Sequence, residues 1–549
     1  MNTKTVSFAP FDAFVERNFV FINDSQLMRS ILKYPIERQC IKVNDDANKI
    51  VCVCDEKFCD KLSFTWPELP GQASLVETTR SGDRFKSSSI SSEENVDQDS
   101  GLGTVRIQLD AKGQTILGWG GAFTDAATIN IKDLKFELSE QLLLSYFGPD
   151  GLQYNFGRVP IAGSDFSTRP YSYDDSPAPD YNLTNWSLSR EDLDYRIPVI
   201  QRARDIVIST GQSLKLFGSP WSPPKWMKTS KDFKRGYLID DDRVYESYAN
   251  YLIKFFDAFK AKGLGFWGST VQNEPITAYL PSYYFNSLQL GNSQAIKFIS
   301  KFLGPALEAH GYTKENFKLM VGDDSLGFIN TQVPAIMKDP GVKKYVSGLA
   351  FHWYMSGTIA PYDFLNRAVK PIEKDIEFVM MSEACTGWMV GSKHVDIGNW
   401  SRGESYASDI IEDLRRKTGA WIDWNLALDM KGGPNWVENY VDSPILVDKN
   451  ANKFYKQPMY YALAHFSRFF RPGSVYTDLK LEGGSRKFNG LMLVAAQNTD
   501  TGHVVLNVLN KSNSKKGFSV VLDGGNSKNY TLKAITVQPK SINTIILKV

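Results

Sequence analysis

No stretch of the 549-residue sequence approaches the roughly 18 uninterrupted apolar residues of a membrane-crossing helix, so a soluble chain is expected. An excess of either charge is also missing. The 63 Lys and Arg against 61 Asp and Glu leave a formal net charge of +2, without a dense basic block, and nothing points to nucleic acid. Histidine is scarce: the five residues, at 310, 352, 394, 465 and 503, show no metal-ligand spacing. There is no P-loop, and GWGGAF (118–123) lacks the glycine spacing of a dinucleotide fingerprint. No metal or cofactor is expected. The opening MNTKTVSFAPFDAFVERNFVFIND has no signal-like core, because Asp12, Glu16 and Arg17 interrupt it.

Cysteine is sparse but concentrated. Four of the five, Cys40, Cys52, Cys54 and Cys59, fall within twenty residues. A zinc site competes with two disulfides for them. The CxC spacing at Cys52 and Cys54 suits zinc poorly, since residues two apart on a strand point the same way, and no His is near. Two disulfides are therefore expected, and with them an oxidising compartment. Cys385 has no evident partner and reads as a small buried side chain. Six N-x-S/T triplets, at Asn23, Asn182, Asn185, Asn399, Asn510 and Asn529, point weakly the same way.

From about residue 116 to 429, β-like runs alternate with helical ones. The strand candidates are Ile116–Thr124, Leu152–Ile161, Ser213–Trp221, Gly265–Pro275, Lys318–Ser325, Gly348–Tyr354, Glu377–Ala384 and Ala420–Asp429. Eight such units predict an α/β fold, a (β/α)8 TIM barrel. Between strands, Tyr245, Tyr248, Leu252, Phe255, Phe256 and Phe259 follow helical spacing, with Gly263 placed to end the helix. Ser189 and Asp192 resemble a capping box, and Pro198 should bend the helix they open. Past residue 475, short strands separated by Gly, Asn, Asp and Lys predict an accessory antiparallel β-sandwich, joined by the β-like residues 66–115. The polar KSSSISSEENVDQDSG (86–101) reads as a solvent loop. The expected division is an unassigned extension over 1–39, a small disulfide-bonded β segment over 40–65, a sandwich of 66–115 plus 475–549, and a barrel over 116–474.

Barrel active sites lie at the C-terminal ends of the strands. Those ends carry Arg158, Asp165, Trp221, Asn273, Glu274, Asp323, Asp324, His352, Tyr354, Glu383 and Trp424. Two carboxylates amid polar partners and flat rings suit glycoside cleavage, in which one protonates the leaving oxygen and the other attacks the anomeric carbon. Asp323 and Asp324 read as loop caps.

GRVPIAGSDFSTRPYSYDD, GSPWSPPKWMKT, VQNEP, FHWY, MSEACTG and WIDWNLALDMKGGPNWVENYVDSPI, in this order, resemble glycoside hydrolase family 30, and within it the lysosomal acid β-glucosylceramidases. The likeness runs from about Cys40 to the C-terminus. It implies hydrolysis of glucosylceramide with retention, Glu383 as nucleophile and Glu274 as acid/base. It further implies that Asn273 binds the sugar 2-hydroxyl and that Asp165, Trp221, Trp424 and Asn439 hold the glucose. Arg158 would orient the carboxylates, Tyr354 would contact Glu383 with His352 in support, and Tyr283 and Phe285 would form an aromatic rim near the aglycone. Barrel packing competes as an account of the tryptophans, a structural ion pair for Arg158 and a satisfied core histidine for His352. The family's disulfide pattern is Cys40–Cys52 and Cys54–Cys59; four cysteines allow two other pairings. A saposin-type activator, an anionic membrane surface and a lysosomal or secretory route are likewise implied by resemblance. Ser164 and Gln272 stand where relatives often carry Cys and Glu, and residues 1–39 have no recognised counterpart. The rival readings are another β-glycosidase of the same clan and an inactive sugar-binding relative; the presence of both glutamates argues against the latter.

Overall fold

The computed structural model describes residues 40–90, 101–498, 500–524 and 530–549. Eight parallel strands close into a barrel: Gly118–Ala122, Phe156–Ile161, Lys215–Pro220, Phe266–Thr270, Lys318–Ser325, Val346–His352, Phe378–Glu383 and Thr418–Asn425. They are numbered one to eight below. Strand eight closes on strand one, with Trp421 opposite Trp119. Every expected barrel strand is present. Strand four is shorter than expected and stops at Thr270, so Asn273 and Glu274 stand in the loop beyond it, Glu274 in the left-handed region at φ 45°.

Alternation along the strands builds the barrel in layers. Phe156, Phe217, Met320, Ala350, Met380 and Ile422 fill one apolar layer. Two residues further along four of these strands stand Arg158, Ser219, His352 and Ser382, a polar layer at the C-terminal end. On strand five the pairing slips between Gly322 and Asp324, and Asp323, at φ 52°, turns into that layer.

The helix with the aromatic face spans Asp242–Ala261, capped by Asp241, whose side chain accepts from the Arg243 N–H; Gly263 ends the segment at φ 77°. The Ser189–Asp192 cap is reciprocal: the Asp192 N–H donates to Ser189 Oγ, and the Ser189 N–H donates to the Asp192 carboxylate. Instead of a bend at Pro198, residues Glu191–Arg196 form a π turn. Pro198 then falls in the first turn of the α-helix Ile197–Ser209, where its missing N–H is tolerated.

A nine-stranded sheet forms the β-sandwich. In order its strands are Tyr530–Val537, Lys516–Asp523, Gly103–Thr115, Val475–Glu482, Leu491–Asn498, His503–Asn510, Ser541–Lys548, Ala73–Thr79 and Lys86–Ile90. Two expectations are corrected. The sheet is not purely antiparallel, because Lys516–Asp523 runs parallel to Gly103–Thr115. The stretch read as a solvent loop begins as an edge strand: Lys86–Ile90 pairs through its backbone with Ala73–Glu77, and its short polar side chains face water. Residues 91–100 of that stretch lie outside the described residues, as does the 1–39 extension.

The cysteines pair as Cys40–Cys52 and Cys54–Cys59, and Cys385 is a buried free thiol. Their strands, Cys40–Val43 and Asp46–Cys54, do not stand alone. They continue through Lys453–Lys456 and Ile445–Asp448 to Leu428–Asp429 in one five-stranded sheet. The segment after barrel strand eight thus supplies three of the five strands of this sheet.

Helix Pro458–Ser467, buried along its whole length, fills the seam between barrel and sandwich. Tyr460 donates to the Ser145 carbonyl on the barrel side. On the sandwich side, His465 lies between Thr78 Oγ1 (2.8 Å from Nε2) and Thr544 Oγ1 (2.9 Å from Nδ1). Thr78 accepts from the Phe85 N–H, so its own proton is free for Nε2; Thr544 gives its proton to Asn507 Oδ1 and accepts from Nδ1–H. These bonds select a neutral imidazole, and burial holds its pKa down to about 3.

Among the described residues no helix is long and apolar enough to cross a membrane. The triplet at Asn510 is not a glycan acceptor in this fold. Its side chain is buried and its amide donates to the Ser514 and Gln538 carbonyls. Asn399 caps helix Trp400–Leu414 and donates to Asp396, whereas Asn182 and Asn185 are exposed.

Candidate active site

The barrel mouth gathers the charged residues around Arg158. Its guanidinium, fully buried, meets Glu383 Oε2, Asp323 Oδ2 at 3.0 Å, Asn273 Oδ1 at 2.7 Å and Ser219 Oγ at 3.1 Å. Asp323 also accepts from Thr270 Oγ1 (2.6 Å) and Ser382 Oγ (2.7 Å). It is not the loop cap that sequence suggested but the hub of the polar layer. Burial works to raise its pKa, yet Arg158 and His352 hold it well below the usual carboxylate range. The cap reading does hold for Asp324, which accepts from the Ile276 and Thr277 N–H groups at 2.7 and 3.0 Å. Burial, with the charge of Glu274, pushes Asp324 up to about 7.

His352 spans the two carboxylate systems. Nε2 is 3.0 Å from Asp323 Oδ1, and Nδ1 is 3.1 Å from Glu274 Oε1 and 3.9 Å from Glu383 Oε1. Both ring nitrogens face carboxyl oxygens, and when both carboxyls are ionised the ring donates to each as an imidazolium. Burial opposes that charge, but Glu383, Asp323 and Glu274 outweigh it and raise His352 to about 10. One ligand atom each from Glu274, His352 and Glu383 lie within 4.8 Å of one another, a spacing that could hold a cation. As an imidazolium, however, His352 has no lone pair to offer one.

Glu383 ends strand seven. It accepts from Arg158 and from the Tyr354 hydroxyl at 2.8 Å. Burial pushes its pKa up, against the pull of His352 and Arg158. Tyr354 also touches Cys385 Sγ (3.2 Å), a thiol that burial pushes far above its ordinary range. Across the mouth, Asp165 accepts from the Asn439 and Asn435 amides at 3.0 and 3.3 Å, and burial lifts it to about 7. Trp221 and Trp424 stack with centroids 5.2 Å apart, the Arg158 guanidinium lying 4.9 and 5.2 Å from their rings. Both packing and a place at the mouth are thus true of them.

Tyr283 is buried, its hydroxyl 3.3 Å from the Asn273 amide and its ring 4.1 Å from that of Phe285, which is half-buried. Tyr284, its neighbour, is exposed, as is Trp388, whose ring meets Tyr354 edge-on at 5.2 Å. Sequence reading missed Ser219, Ser382, Asn435 and Trp388. The first two were available in principle, because each stands two residues beyond an inward apolar residue on its strand.

An eight-stranded barrel whose C-terminal mouth joins two buried glutamates to a polar layer defines the class as a barrel glycoside hydrolase. More particularly, the chain belongs to glycosyl hydrolase family 30: the family's TIM-barrel domain matches residues 116–470 and its β-sandwich domain residues 473–545. The lysosomal acid glucosylceramidase of Mus musculus is 38% identical over 478 residues, covering 86% of this chain and 89% of that one. An endo-1,6-β-D-glucanase of Neurospora crassa is 28% identical over 419 residues, 74% of this chain and 81% of that one. Among solved structures, SrfJ from Salmonella typhimurium superposes with a TM-score of 0.76 at 25% identity, covering 87% of this chain and 100% of that one.

Proposed function

We propose that this hydrolase is a retaining β-glucosidase that cleaves glucosylceramide to glucose and ceramide, with Glu383 as nucleophile and Glu274 as acid/base. The observation that carries the reading is the carboxylate spacing. One oxygen of each glutamate lies within 4.8 Å of the other's, which places the pair nearer the roughly 5 Å of retaining glycosidases than the roughly 6.5–9.5 Å of inverting ones and supports retention.

In this reading Glu383 attacks the anomeric carbon while Glu274 protonates the departing oxygen; Glu274 then draws a proton from water, which releases glucose from Glu383. Arg158 and the Tyr354 hydroxyl hold the Glu383 carboxylate in line. Asn273, fixed by Arg158, presents its amide to the sugar 2-hydroxyl. Asp165, Asn439, Trp221 and Trp424 form the glucose end, and Tyr283 with Phe285 the wall toward the leaving group. His352, charged, keeps Glu274 and Asp323 in fixed geometry.

The mouse relative supports the ceramide glucoside as substrate, and so do exposed apolar side chains after strands four, six and seven: Leu280, Tyr284, Ile359, Trp388, Met389 and Val390. An anionic membrane surface, a saposin-type activator and lysosomal or secretory routing belong to the same reading, the last supported by the two disulfides. The Neurospora relative favours a second reading, an endo-β-1,6-glucanase. Incubation with a 2-deoxy-2-fluoro-β-glucosyl inactivator, followed by peptide mass spectrometry, tests the first. A glucosyl adduct on Glu383 is expected; an unlabelled, folded protein that degrades β-1,6-glucan would transfer the conclusion to the second.

A further inference from the structure

Lys228 follows the short 3-10 turn Lys225–Met227 after strand three and is fully buried. Its ammonium makes three bonds: to Ser222 Oγ at 3.0 Å, the Phe233 carbonyl at 2.7 Å and the Ser287 carbonyl at 2.6 Å. All three acceptors are neutral, and among the described residues Lys228 has no ion pair. A buried ammonium without an ion pair is costly, and burial drives Lys228 down to about 7 against the opposing charge of Asp232. An apolar side chain of the same length would fill this space at less cost, so simple packing does not account for the lysine. What it does supply is three donors from one point toward three separate backbone segments.

Those segments surround the leaving-group side of the site. Ser222 directly follows Trp221. Phe233 closes the loop after strand three, and its carbonyl also accepts from the Ser287 N–H. Ser287 lies in the loop after strand four, two residues past Phe285 and four past Tyr283, whose hydroxyl meets Asn273. Arg235 reinforces the same junction, donating to the Tyr283 and Leu280 carbonyls. We propose that Lys228 is a positioning residue that clamps the strand-four loop to the strand-three loop, fixes the Tyr283–Phe285 wall, and so sets how tightly a bulky leaving group is held. Glucose itself is held mainly from other loops, by Asp165, Asn439 and Trp424, and Trp221, although next to Ser222, is fixed by its stacking on Trp424. Loss of the clamp therefore discriminates between leaving groups and spares the sugar.

This inference rests on the glucosidase reading, and its test separates the two. Wild-type protein, Lys228→Met and Ser222→Ala are each titrated with the fluoro-glucosyl inactivator, so that rates refer to competent sites only. kcat and KM are then measured with 4-nitrophenyl β-glucoside and with glucosylceramide in detergent micelles. Lys228→Met is expected to raise KM for the lipid about tenfold, with kcat and both nitrophenyl constants within about twofold; displacing a binding wall by an ångström is enough for such an effect. Ser222→Ala, which removes one acceptor and keeps the lysine, is expected to shift the same constant less, and it carries the test if Lys228→Met does not fold. Equal losses on both substrates would reduce Lys228 to a structural role, and unchanged constants on both would overturn the proposal outright. A wild-type protein that takes no label would fail the glucosidase reading first, and this inference with it.

Discussion

His352 at the barrel mouth and His465 at the seam between barrel and sandwich are both fully buried, and their surroundings drive them apart. His352 faces carboxylates through both nitrogens and is raised to about 10. His465 faces threonine hydroxyls and is lowered to about 3. Burial lowers both; only the neighbours differ. The mouth stores charge that chemistry can use, whereas the seam satisfies a polar ring without charging it. A buried histidine therefore becomes a cation or a neutral strut according to whether its acceptors are anionic or hydroxylic.

The comparison breaks most strongly at the mouth. Glu383→Gln is expected to lower kcat by at least about 10³-fold with the melting temperature unchanged or higher; residual activity near wild type would dismiss the nucleophile assignment. His352→Gln should cost both activity and fold, because it strips a cation from three buried carboxylates. A loss on the order of 3–5 kcal/mol in urea unfolding is expected. His465→Gln should cost only about 1–3 kcal/mol and leave kcat per labelled site unchanged, since its partners are neutral. A fall in kcat there would mean that the seam communicates with the mouth.

pH sharpens the contrast because the two signs are opposite. His352 is protonated in the fold up to about 10 against an ordinary 6.5, so its contribution is complete below pH 6.5 and is lost as pH rises through 10. Asp165 and Asp324, lifted from 3.8 to about 7, stabilise the mouth at acid pH and lose that contribution as pH rises through 7. His465, held at about 3, contributes fully above pH 6.5 and loses its share as pH falls from there through 3. Melting temperatures measured across pH should thus lose part of their alkaline decline in His352→Gln and part of their acid decline in His465→Gln. The smallest effect is expected for Thr78→Val. It leaves Nε2 without the donor that favours the neutral ring, costs about 1 kcal/mol, and should soften the acid decline without removing it.

The barrel and its mouth were legible because strand-end residues carry chemistry at sequence positions that alternation marks. Arg158, His352 and Glu383 could be placed from their strands alone. Asp323 was not, since its role arises from a slip in strand pairing that leaves no trace in composition. Lys228 was equally hidden: nothing in WMKTS distinguishes a buried lysine from a solvated one, and its acceptors lie in three segments distant from one another in sequence. The edge strand Lys86–Ile90 is all polar save its last residue, so periodicity could not reveal it. Likewise the Asn510 triplet looked like any other acceptor until strand His503–Asn510 proved to lie inside the sheet. The parallel pairing of Lys516–Asp523 with Gly103–Thr115 was invisible because a parallel partner can come from anywhere in the chain.

The sandwich order has a consequence for the ribosome. Ala73–Thr79 pairs with Ser541–Lys548, and Gly103–Thr115 lies between Val475–Glu482 and Lys516–Asp523. The early strands must therefore wait, unpaired on these edges, while the entire barrel is translated. Only the last strands to emerge can cover them, so those edges stay open to intermolecular pairing through most of synthesis.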